Sequence, residues 1–214
     1  SEGVVLAKVN SNNTSGIIIS LNCETDFVAK NDDYVQLAQR LSDHALGFTD
    51  KESFLDSDFE GMKVSEKLLE QTGIIGEKIE IGSFEHISAS FVGSYIHAGN
   101  KIASIVGFSE NFDNASDVGK DLSMQIAAMN PVAIDENGVS QEIIAKEIEI
   151  AKDQLRAEGK PEAMLDNIAK GKLKKFFKEN TLVNQAFIKD NKLSVTDYVK
   201  SVNSCLLYTS PSPR

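Results

Sequence analysis

Residues 22–32, NCETDFVAKND, set one large apolar side chain, Phe27, among turn formers and charges. A phenylalanine there is either core or an apolar tooth meant for another protein. Its place beside Asp26 and ahead of a helix-like stretch favours the second. The other chemistry-bearing residues do not assemble into a catalyst. His44, His86 and His97 lack metal-ligand spacing, and Cys23 and Cys205 lie far apart with no CxxC pattern. The Gly-Lys pairs at 119–120, 159–160 and 171–172 carry Asn114, Gln154 and Asp166 where a phosphate loop needs its first glycine. No GxGxxG follows a strand, and neither a GxSxG elbow nor an HExxH pair occurs. The many carboxylates read as surface charge. The expectation is therefore a binding or regulatory module with no catalytic residues, no metal and no cofactor.

Composition narrows the partners. The 214 residues are 41% hydrophobic and 25% charged, ordinary for a globular chain long enough to bury a core. A formal net charge of −10 argues against a nucleic-acid backbone, which needs a basic face, and against an anionic membrane surface. No apolar run approaches the roughly 20 residues of a membrane helix. The opening SEGVVLAKV lacks both an initiator Met and the basic-then-apolar plan of a signal peptide. Two distant cysteines fit free thiols in a reducing compartment, and the expected location is cytoplasmic.

The elements that must position Phe27 can be read on either side of it. GVVLAKV (3–9) and GIIISL (16–21) flank the polar NSNNTS and read as an antiparallel hairpin. Tyr34, Leu37, Ala38, Leu41 and Ala45 share one helix face, with Asn31 or Asp32 to cap it and Gly47 to end it. Residues 48–72 read as short helices, and GEKIEIGSFEHIS as a strand. FVGSYIHAGNKIASIVGF forms a second hairpin turning at 98–100, followed by a helix over 116–129 that Asn130-Pro131 stops. Strand, turn, strand, loop and helix thus occur at 3–46 and again at 91–129. Residues 140–178 carry two helical stripes, Ile144, Ile148, Ala151, Leu155 and Leu165, Ala169, Leu173, Phe176, around EGKPE. They read as an antiparallel helical hairpin with Pro161 in the first turn of its second helix and a lysine-rich edge. FIKDNK reads as a short strand and turn, and SVTDYVKSVN as a short capped helix.

The fold class expected is α+β: two similar antiparallel hairpin-plus-helix subdomains with a projecting antiparallel helical hairpin. The pieces are 1–85, then 86–139 with 179–203, and the hairpin 140–178. The tail 204–214, SCLLYTSPSPR, is expected to be disordered or foreign to the fold.

CETDFVAKN (23–31) closely resembles the signature of the bacterial elongation factor Ts family. EGVVLAKV, GEKIEI (76–81), SYIHAGNKIASIVGF (94–108), SMQIAAMNP (123–131) and GKPEAMLDNIAKGKLKKFFKENTLVNQAFIKD (159–190) resemble its further blocks in the same order. The resemblance spans 2–203. It implies a guanine-nucleotide exchange factor of translation elongation. Its partner would be elongation factor Tu, in GDP-bound and nucleotide-free forms. It implies that Phe27 enters a hydrophobic pocket beside switch II and disturbs the Mg²⁺ site, with Thr25, Asp26 and Val28 shaping its presentation. It also implies a second contact near the phosphate-binding loop through Gln125, where many members have His, and Ile126. The family's N-terminal three-helix domain finds no counterpart before residue 2, which predicts a weaker grip. Its later FxRF strand finds none after 203, which predicts an open sheet edge. The alternative, from another class, is a structural or self-association module built on 140–178.

Overall fold

The computed structural model describes residues 2–202 in full and the backbone of 207–210. It is α+β and divides into two compact units. One runs to Ala128 and includes the strand at 207–210; the other starts at Met129 and continues through the helix ending at Val202. The expected grouping of 179–203 with 86–139 differs from this division, in which 179–202 falls in the same unit as the helical hairpin.

The first unit opens with β1 (Glu2–Val9) and β2 (Ser15–Cys23), antiparallel, with Leu6 opposite Ile19. The Asn10 side chain closes their turn, its Oδ1 accepting from the backbone N–H of Thr14 (2.8 Å) and Ser15 (3.0 Å). β2 is buried on both faces, which explains the unbroken run GIIISL. Ile17, Ile19 and Leu21 enter one core, and Ile18 packs the other way with Ala7, Ala103 and Ile105.

After β2 come the short α1 (Asp26–Ala29) and then α2 (Asp32–Ala45). Asn31 caps α2 by accepting from the Tyr34 N–H (3.1 Å). Tyr34, Leu37, Ala38, Leu41 and Ala45 are all buried, as their spacing predicts. α3 (Lys51–Leu55) leads into a tight hairpin of β3 (Asp58–Phe59) and β4 (Met62–Lys63). Glu60 (φ 52°) and Gly61 (φ 89°) form its turn, both left-handed as a two-residue hairpin loop requires. This hairpin interrupts the expected helices of 48–72. α4 (Val64–Ile75) ends at left-handed Gly76 (φ 79°).

β5 (Glu80–Ser88) then pairs with β2, completing a sheet ordered β1-β2-β5. A register shift falls at Ser20, whose Oγ accepts from the Ser83 N–H (2.8 Å). β6 (Phe91–Ile96) and β7 (Ala103–Phe108) form the second hairpin, covered by α5 (Ala115–Met129). α5 comes close enough to the sheet that a Cβ on Gly93 would stand 2.8 Å from Gly119 backbone.

In the second unit α6 (Gln141–Ala157) and α7 (Glu162–Asn180) form the expected hairpin. Ala151 and Leu155 of one helix and Leu165 and Ala169 of the other are buried, and Lys152 pairs with Asp166 (2.7 Å). At its base, the N–H groups of Val132 and Leu182 donate to the carbonyls of Asn180 and Ala133. β8 (Ala186–Phe187) and β9 (Asp190–Ser194) lead to α8 (Val195–Val202), where the Tyr198 ring stacks on Phe187 at 4.0 Å.

β10 (Leu207–Ser210) belongs to the first unit. It pairs antiparallel with β7, giving a sheet ordered β10-β7-β6, with Leu207 opposite Phe108. This corrects the expectation of an open edge at that position. The edge of β7 carries backbone groups that need partners, and LYTS is strand-compatible in sequence. The rest of the expected tail, 204–206 and 211–214, lies outside the described residues.

Candidate functional site

The TDFV segment lies between β2 and α2 as an N-cap followed by one helical turn. Thr25 is extended (φ −116°, ψ 153°), and its Oγ1 accepts from the Val28 N–H at 3.4 Å. Asp26 occupies the first turn, where a negative charge suits the helix N-terminus. Its carboxylate pairs with Lys30 Nζ at 2.7 Å, four residues on. The Lys30 ammonium holds the Asp26 carboxyl below the ordinary aspartate range. Val28 is half-buried against the core that contains Leu21 and Tyr34, and Ala29 is buried in it. One turn of helix cannot hide every side chain it carries, and Phe27 is the one left outside, 83% exposed.

Phe27 does not stand alone. With Val28, Asn31, Asp33, Tyr34, Gln71, Ile74 and Ile75 it lines an open cleft of about 410 Å³. Ile75 packs on the same core as Val28, whereas Ile74 is 70% exposed. Leu69, five residues earlier on α4 and outside the cleft, is also exposed. Exposed apolar side chains gathered at a cleft mark a surface that meets another apolar surface. Behind the cleft, the buried Tyr34 hydroxyl donates to the Leu21 carbonyl at 2.7 Å. Burial pushes both that phenol and the neighbouring Cys23 thiol up from their ordinary values, so both stay neutral at neutral pH.

The segment is fastened from across the fold. Glu77 Oε2 accepts from the backbone N–H groups of Glu24 (2.9 Å) and Thr25 (3.0 Å), and its Oε1 accepts from the Thr25 hydroxyl (2.6 Å). The Thr25 hydroxyl, aided by the two amides, holds the Glu77 carboxyl below the ordinary glutamate value.

Thr25, Asp26, Phe27 and Val28 therefore form one surface feature. Gln125 and Ile126 do not share it. Both are buried within α5, Gln125 completely, so neither offers a side chain on the surface of the free chain. A polar residue on a helix reads as exposed in sequence, and its burial here follows from the close seating of α5 on β6 and β7. Sequence reasoning missed Glu77, Ile74 and Ile75. For Ile74 a signal existed: Val64 and Leu68, with half-buried Ile75, define the inner face of α4, and Ile74 is an apolar residue off that face.

Among the described residues there is no cluster of His, Cys, Asp or Glu able to hold a metal ion. No helix among them is long and apolar enough to cross a membrane. A family model described as elongation factor TS matches residues 24–210. Elongation factor Ts of Christiangramia forsetii is 63% identical over 206 residues, covering 96% of this chain and 75% of that protein. Elongation factor Ts of Flavobacterium psychrophilum is 56% identical over 209 residues, covering 98% of this chain and 76% of that protein. Elongation factor Ts of Amoebophilus asiaticus is 46% identical over 210 residues, covering 97% and 76% respectively.

Proposed function

The chain belongs to the elongation factor Ts family, a family of translation elongation factors, and from that premise we propose that it releases GDP from elongation factor Tu by inserting Phe27 into that GTPase. The observation that carries the reading is the exposure of Phe27 on a fastened turn beside an apolar cleft. A large aromatic left in water gains nothing for its own fold. It gains the free energy of burying an aromatic ring if a partner supplies the pocket.

Phe27 is the wedge in this reading, and Thr25, Asp26 and Val28 set its angle. Ile74 extends the apolar contact. GDP is held by Mg²⁺ and phosphate contacts that depend on loop positions in the GTPase, and a ring driven in beside them favours the nucleotide-free arrangement. The factor must bind that arrangement more tightly than the GDP-bound one. By linkage, GDP then weakens the factor's binding by the same ratio. The chain's own residues do no covalent chemistry in this scheme.

The test is release of fluorescent GDP from elongation factor Tu, with unlabelled GDP in excess, at increasing concentrations of this chain. A release rate that climbs and saturates with concentration is expected. A rate that stays at the spontaneous value excludes exchange. Light scattering on the same sample addresses the alternative of self-association through 140–178.

A further inference from the structure

The bonds that join the Phe27 segment to the end of α4 run in both directions. Glu77 accepts two amides and one hydroxyl from Glu24 and Thr25, and Glu24 Oε1 in return accepts from the Lys78 N–H at 3.1 Å. The far side of this clasp is itself anchored. The Thr72 hydroxyl donates to the Leu68 carbonyl (2.9 Å) and accepts from the Ile79 N–H (3.0 Å), which ties the last turn of α4 to the residue just before β5. Thr25 is also the N-cap of α1, so Glu77 grips the residue that starts the turn bearing Phe27. On one side of the clasp stands Phe27, and on the other stand Ile74 and Ile75; all three line the same cleft.

We propose that Glu77, with Glu24 in return, is a positioning residue for nucleotide exchange: it fixes Phe27 relative to Ile74 and Ile75, so that wedge and helix end meet the GTPase as one pre-set surface. The proposal rests on the reading of Phe27 given above. A helix of four residues has too few internal hydrogen bonds to hold its own geometry. Val28 and Ile75 share a core, which sets the two segments near each other, but Phe27 and Ile74 themselves face solvent and no packing sets the angle of the turn that carries Phe27. A carboxylate accepting three hydrogen bonds sets that angle, because bonds to an ionised acceptor are stronger than neutral ones and carry direction. An interface already in its bound geometry spends less of its binding free energy on ordering itself. That saving reaches the exchange step because the wedge must enter while the helix end stays in contact.

The test is stopped-flow release of labelled GDP from elongation factor Tu over a range of factor concentrations, with melting curves of each free variant. Glu77→Ala is expected to lower the maximal release rate by about tenfold, the equivalent of one lost hydrogen bond to a charged group. Its half-saturating concentration should change less. A variant that is only partly unfolded does the opposite: more protein is needed, and the maximal rate survives. Glu77→Gln keeps an oxygen for the two amides but loses the charge and the second acceptor, and should restore the rate in part. Glu77→Ala combined with Phe27→Ala should be no slower than Phe27→Ala alone, since Glu77 acts through Phe27. An unchanged maximal rate for Glu77→Ala, beside a slow Phe27→Ala, overturns the clasp and leaves the wedge standing. Full multiplication of the two effects also overturns it. A Phe27→Ala variant as fast as the parent removes the wedge, and the clasp falls with it.

Discussion

Phe27, Glu77 and Gln125 are three residues whose roles depend on what surrounds them, and sequence exposes only the first. An aromatic residue amid turn formers is anomalous where it stands, so Phe27 could be singled out directly. Glu77 could not, because it meets Thr25 from 52 positions away and such a pairing leaves no periodic trace. Gln125 reads as a surface residue and is completely buried. Its burial leads to a prediction that separates a core role from a partner contact. Gln125→Ala removes a buried amide and should cost on the order of 1–3 kcal/mol of stability. The maximal GDP release rate should be nearly unchanged at a temperature where the variant is folded. Thermal melting and saturation kinetics check this. A variant with an unchanged melting curve and a depressed maximal rate would make Gln125 part of the exchange contact.

The elements were legible to different degrees, and for physical reasons. α2 announces itself through an apolar face that recurs over three turns. β2 shows as a continuous apolar run because it is buried on both faces. β3 and β4 have two residues each, too few to show alternation, and the helices expected over 48–72 pass over them. The helical hairpin is legible because both stripes are long. Ala151, Leu155, Leu165 and Ala169 seal it against itself, and the strand-like contacts of 132–134 with 180–183 close its base. An element closed on itself can be removed with little loss elsewhere. Replacing 140–178 with a short flexible linker should therefore leave measurable GDP release and a cooperative melting transition. Loss of release from a deletion variant that still melts cooperatively would place the hairpin in the exchange surface.

For the molecule as a whole, the function proposed is a difference between two affinities. Phe27 and Ile74 are exposed in the free chain at some cost in solubility, and in this reading that exposure is productive only if the GTPase covers them. The central claim is that Phe27 contributes to the complex and not to the fold of the chain that carries it. Phe27→Ala tests it most directly, with two readouts taken on the same preparation. The melting curve of the free variant should match that of the parent, because changing an exposed residue shifts stability by only about 0.5 kcal/mol or less. Release of GDP from elongation factor Tu should slow by roughly thirtyfold, which corresponds to about 2 kcal/mol for an aromatic anchor at an interface centre. A melting temperature well below the parent's, of the size expected when a core phenylalanine is truncated, would contradict the account. So would unchanged release from a variant of unchanged stability.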